Sequence, residues 1–205
     1  MRRPSKKSPT DIARQLFKKH NGVLTTTQAL AEGIHRRVLY GMRDSGMIEP
    51  IARGLYRLTE MPPLESPDLF TAASKVSQGV ICLMSALAFH GLTTQIPRSV
   101  SVALPKGAEQ PRIAYPPMQF YRISEPAFSE GIQTHKKDGV VLRVYSPEKT
   151  LADCFKFRKK IGMDICLEAL RDWRKKKGAD SKKLMHFAQI CRIDGVIRPY
   201  VEALI

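Results

Sequence analysis

Arg36, Arg37, Tyr40 and Arg43 stand close together in one short stretch, and Arg53 follows a little further on. A guanidinium is a planar fork of donors that matches a phosphate or the O6 and N7 edge of guanine. A tyrosine offers a hydroxyl to phosphate and an apolar ring to a thymine methyl. Upstream, Thr26, Thr27 and Gln28 are short polar side chains at the start of an expected helix, suited to hydrogen bonds with backbone phosphate. These residue types describe the holding of a polyanion, not the making of bonds.

Residues for catalysis are harder to assemble. The chain contains no GxSxG, no GxxxxGK and no spaced metal cluster. His90 falls at an expected helix end, where its charge suits the dipole, so a structural role is expected. Glu148, Asp153, Asp164 and Asp172 are the carboxylates a nuclease would need, yet their spacing describes no metal site. Asp153 is expected to pair with Lys149 or Lys156 along a helix. The four cysteines, Cys82, Cys154, Cys166 and Cys191, form no CxxC pair and read as small buried thiols in a reducing cytosol. The expectation is a cytoplasmic protein that is not an enzyme, with no catalytic residue, no metal ligand and no cofactor.

The elements that must position the cations can be read from periodicity. Thr10 or Pro9-Thr10 is a plausible cap for a helix whose Ile12, Ala13, Leu16 and Phe17 form one apolar stripe, ended by Asn21-Gly22. Val23-Leu24 is a short apolar step. One of Thr25, Thr26 and Thr27 caps a second helix over residues 28–32, broken by Gly33, with Ile34 as an apolar plug. A third helix runs from about His35 to Ser45, with Val38, Leu39 and Met42 inward and Arg36, Arg37, Tyr40 and Arg43 on the remaining surface. After Gly46 the period changes to two, and residues 47–58 read as two strands around Ala52-Arg53-Gly54. Helix, turn and basic helix followed by a hairpin is the pattern of a winged helix-turn-helix, whose helix fits a major groove and whose wing meets the backbone.

The charge agrees. Of 205 residues, 34 are Lys or Arg and 19 Asp or Glu, a net charge of +15. Residues 1–60 hold 12 basic against 5 acidic residues and 61–205 hold 22 against 14, so the density is about twice as high in the first segment. At 43% hydrophobic residues the composition is globular. No apolar run reaches the roughly 18 residues that span a bilayer, and the basic start leads into no apolar signal segment, so no membrane partner is expected.

The expected organisation is α+β. A basic arm covers 1–9, either a disordered tail or an arm lying along phosphates. A winged helix-turn-helix covers 10–60, a Pro-rich linker 61–67, and a mixed α+β domain 68–205. In that last part the reading places helices from Asp68 and over residues 85–91, and strands over 80–83, 99–105, 119–123 and 140–145. A Pro147-led helix follows, then helices interrupted around Gly162, Gly178 and Gly195. The run Arg174-Lys175-Lys176-Lys177 after Trp173 reads as a solvated helix end matched to the dipole, with contact to a polyanion as the sharper alternative.

The segments GVLTTTQALAEGIHRRVLYGMRDSGMIEPIARGLYRL (22–58), SALAFHGLTTQIPRSVSVALP (85–105) and VYSPEKTLADCF (144–155) together resemble the AbiEi-type antitoxins of type IV toxin–antitoxin pairs. The resemblance implies an N-terminal winged helix that binds double-stranded operator DNA and represses its own operon. It implies a C-terminal domain that counteracts a nucleotidyltransferase-like toxin without needing to touch it. It places DNA contacts at Arg36, Arg37, Tyr40, Arg43, Arg53 and Tyr56, with packing against the helices as the alternative for Tyr56. Inverted repeats in the operator are expected if two copies bind; the oligomeric state is left open. Two other readings stand beside this one. One is a nucleic-acid-processing enzyme with a winged-helix reader, and the other is a winged helix that docks a protein.

Overall fold

Helix α1 (Pro9–Lys19) is capped by Ser8, ahead of both expected caps. Ser8 accepts from the Asp11 amide at 3.1 Å, and the Asp11 carboxylate accepts from the Ser8 amide at 3.2 Å. This reciprocal box satisfies donors that Thr10 would leave open. Pro9 is therefore helical rather than part of an arm. Ala13 and Phe17 are buried, but Ile12 is 49% exposed and leaves the expected stripe. The computed structural model describes residues 8–61, 66–137 and 140–204, so the arm up to Lys7 and most of the linker lie outside the described residues.

Strand β1 (Val23–Thr25) leads into α2 (Thr26–Ala31) and α3 (Arg36–Asp44), and β2 (Ile48–Ala52) and β3 (Leu55–Leu58) follow. β3 pairs antiparallel with both β1 and β2, giving the order β1-β3-β2. Val23-Leu24 is thus a strand and not a mere step: it lies opposite Arg57 and Tyr56. The core of this part joins Phe17, Leu24, Leu39, Met42, Ile48 and Leu58. Each such burial stabilises by about 1.5–3 kcal/mol. Gly54, at φ 76°, closes the β2–β3 turn in a conformation that a side chain would strain.

The chain divides into two compact units, Met1–Lys75 with Lys136–Val141, and Val76–His135 with Leu142–Ile205. Helix α4 (Pro67–Lys75) therefore counts with the first unit, not with the C-terminal domain in which the sequence reading placed residues 68–75.

The second unit holds a five-stranded mixed sheet in the order β6-β5-β4-β8-β7. Its strands are β4 (Val80–Ile81), β5 (Val100–Pro105), β6 (Met118–Ile123), β7 (Ile132–Lys137) and β8 (Val140–Tyr145). Strand β7 has no expected counterpart, because IQTHKK offers neither alternation nor an apolar run. Helix α5 (Leu83–Phe89) follows β4. Helices α6 (Pro147–Lys156), α7 (Arg158–Ile161), α8 (Met163–Lys175), α9 (Ser181–Ile190) and α10 (Asp194–Glu202) complete the unit. Gly195 lies inside α10, and the break comes earlier, at Arg192 with φ 57°.

Helix α6 is the hub of this unit. Ser146 caps it, Pro147 opens it, and every residue from Glu148 to Phe155 is buried. It packs on α5, α8 and α9. Gly131 approaches it so closely that an added Cβ would lie 2.7 Å from Lys149 Cβ. Mixed helix and sheet make the fold class α+β. Among the described residues no helix is long and apolar enough to cross a membrane.

Candidate nucleic-acid interface

Helix α3 begins at His35, whose Nδ1 accepts from the Arg37 amide at 3.2 Å. Leu39 and Met42 are buried, which fixes the inward face. At about 100° per residue, Arg36, Tyr40 and Arg43 fall within an arc of about 60° whose centre lies about 100° round the helix from the buried side, and Arg37 widens it to about 120°. Arg36 and Arg37 are exposed and form no ion pair among the described residues. Tyr40 is 37% exposed.

Arg43 sits on the same arc but is not free. Its Nη2 lies 2.7 Å from Asp44 Oδ1, and its guanidinium carbon lies 5.0 Å from the centre of the Tyr40 ring. The hydrogen bond and charge of Asp44 push its pKa above the ordinary arginine value, with the Tyr56 hydroxyl adding to the effect. An exposed pair of this kind holds its partners weakly.

The hairpin presents one cation outward. Arg53 is exposed at the β2–β3 turn and forms no ion pair among the described residues. Tyr56 is 7% exposed and packs in the core, as the packing alternative expects. Arg57, directly across from Glu49 in the ladder, donates to Glu49 Oε1 from Nε at 2.9 Å and to Met61 O from Nη1 at 2.5 Å. It ties the hairpin to the chain that follows it. Sequence reasoning missed this role, which depends on a cross-strand register.

The polar residues at the start of α2 divide in their tasks. Thr25 is the cap: its Oγ1 accepts from the Gln28 amide at 3.1 Å, and Gln28 Oε1 accepts from the Thr25 amide at 2.9 Å. The side-chain oxygen of Gln28 is thus engaged, which leaves its amide NH2 to donate. Thr26 donates from its amide to Gly54 O at 2.8 Å, so it pins the hairpin turn to α2. Thr27 is exposed. All four, with Arg53, line one cleft of the first unit. Thr71, Ser74 and Lys75 of α4 line it too. Nothing in the sequence connected them to the site, because they follow the expected domain boundary.

Two of the groups weighed for chemistry in the second unit, His90 and Asp153, have internal partners. His90 Nε2 donates to Tyr145 O at 2.7 Å, and burial lowers its pKa, so a neutral ring serves here rather than a charge on the helix dipole. Asp153 pairs with Lys149, its Oδ2 lying 2.6 Å from Nζ, and burial raises its pKa. All four cysteines are buried and free. Burial pushes the Cys166 thiol up to about 11 and the Cys191 thiol up to about 12, which makes both poor nucleophiles. Among the described residues no His, Cys, Asp or Glu group of three could hold a metal ion.

The fold resembles the crystal structure of the RV2827C protein from Mycobacterium tuberculosis, with a TM-score of 0.52 and 12% identity over 93% of this chain and 79% of that one. No curated protein matches the chain. Residues 11–59, which hold α1 to β3 and every outward cation described above, match the family model "Transcriptional regulator, AbiEi antitoxin".

Proposed function

We propose that this chain is a sequence-specific DNA-binding repressor of the antitoxin type, which controls its own operon and counteracts a nucleotidyltransferase-like toxin encoded beside it. The observation that carries the reading is the exposed face of α3, where Arg36 and Arg37 stand beside Tyr40 without ion pairs among the described residues. A helix fits the major groove, where guanidinium forks read guanine or clamp phosphate. Arg53 at the hairpin turn, in the position of a wing, meets the flanking backbone. Bound protein then excludes polymerase from the promoter. Two copies on inverted repeats would match the symmetry of a duplex site.

The test is a footprint and a gel shift on DNA upstream of the gene. If about six phosphates are neutralised, log K falls with log salt at a slope of about −5. Affinity for that DNA no greater than for an unrelated duplex of equal length would overturn the repressor reading.

A further inference from the structure

Within the first unit, a cleft of about 460 Å³ opens between the start of α2, the Arg53-Gly54 turn and α4. This size lies within the roughly 300–1,000 Å³ of ligand pockets. Hydroxyls from Thr27, Thr71 and Ser74 line it, as do the cations Arg53 and Lys75, and no carboxylate among the described residues does. Hydroxyl donors with positive charge and no negative charge make a lining that holds an oxyanion. Thr71, Ser74 and Lys75 are spaced i, i+3 and i+4, so α4 presents all three from one side.

An independent observation points the same way. Thr71 is 1% exposed, and its Oγ1 has no hydrogen-bond partner among the described residues. A buried hydroxyl without a partner is destabilising and rare in native proteins. Valine has nearly the same shape and would avoid the penalty. A threonine kept in such a place marks a contact that is completed when something else is bound.

We propose that this cleft is a phosphate-binding site, and that α4, outside the segment 11–59, supplies Thr71, Ser74 and Lys75 opposite Arg53 and Thr27. The phosphate belongs either to the backbone of bound duplex or to a free phosphorylated ligand. The first source rests on the repressor reading, and the second is independent of it. A free ligand would occupy space beside Arg53, so its binding would compete with duplex.

The experiment uses the full chain, with pyrophosphate as the free probe and the upstream duplex as the other. Pyrophosphate is titrated by NMR of the backbone amides and the duplex by fluorescence anisotropy, for the wild type, Thr71→Val and Lys75→Gln. At least fivefold weaker duplex binding in both variants assigns the phosphate to DNA. Unchanged duplex binding with at least fivefold weaker pyrophosphate binding assigns it to a free ligand. Thr71→Val has a second signature: without ligand, its Tm stays level or rises while ligand affinity falls. If neither probe's affinity changes in either variant, the site is overturned. A wild type that ignores the upstream duplex refutes the repressor reading alone, and pyrophosphate still decides the cleft.

Discussion

In the first unit Arg36, Arg37 and Arg53 stand in solvent, whereas in the second Lys149 and Asp153 are 0% and 1% exposed and held to one another at 2.6 Å. The surroundings complete the contrast. Lys149 Nζ lies 4.1 Å from the centre of the Tyr145 ring, and Cys191 Sγ donates to Asp153 Oδ1 at 3.3 Å. The same classes of side chain therefore do two jobs. On α3 their charge is open to a partner; inside the second unit it is consumed in joining α6 to the strand and helices around it. A net charge summed over the chain conceals this, since it counts Lys149 and Arg36 alike.

The largest expected effect tests the inner half of that contrast. Lys149→Met leaves the Asp153 carboxylate buried without its partner. Loss of one member of a buried pair typically removes about 3–5 kcal/mol of stability. Urea unfolding should show it. Burial already raises the Asp153 pKa, and loss of Lys149 raises it further. A carboxyl whose folded pKa is raised destabilises at high pH and recovers as pH falls through that value, so the deficit should shrink on acidification. Lys149→Met combined with Asp153→Leu should recover most of the loss. A single variant as stable as the wild type would show that the pair does not organise this core.

The next effects belong to the outer half. Arg36→Ala and Arg37→Ala should each weaken binding to the upstream duplex by about 1–3 kcal/mol, with the loss confined to the preferred sequence if a base is read. Both side chains are exposed, so stability should change by no more than about 0.5 kcal/mol. An unfolding midpoint that falls with affinity would mean that the α3 face is structural after all. Arg53→Ala is expected to act more mildly. As a backbone contact, it should weaken all sequences alike and reduce the salt slope by about 1.

The first sixty residues were largely legible in the sequence, because their signals are local. Helical periodicity placed α1 and α3, and the Arg53-Gly54 turn announced the hairpin. What escaped depends on long-range pairing. Strand β1 exists because Val23 and Leu24 meet Arg57 and Tyr56 in β3, and Tyr56 is buried by that same sheet. Strand β7 is too polar to show a pattern. The contribution of α4 to the cleft was hidden because Pro62-Pro63 read as the end of a domain. The Lys149–Asp153 pair was anticipated from its i, i+4 spacing, but its burial was not, since spacing says nothing about what packs above a helix.

The smallest expected effect lies on the surface of the first unit, where Glu60 accepts from Arg14 and lies 3.1 Å from Lys18 Nζ. Hydrogen bonds from Arg14 and then Lys18 hold its carboxyl down to about 2, from an ordinary value of 4.5. A carboxyl whose folded pKa is depressed contributes stability above its unfolded pKa and loses it as pH falls through the folded value. The loss should therefore fall between about 4.5 and about 2. Tm measured across that window should decline less steeply in Glu60→Gln than in the wild type. The pairs are exposed, so salt should screen the difference. If the difference were large and persisted in high salt, the outer charges of this unit would be structural in the way Lys149 is, and the contrast between the two units would fail at its outer edge.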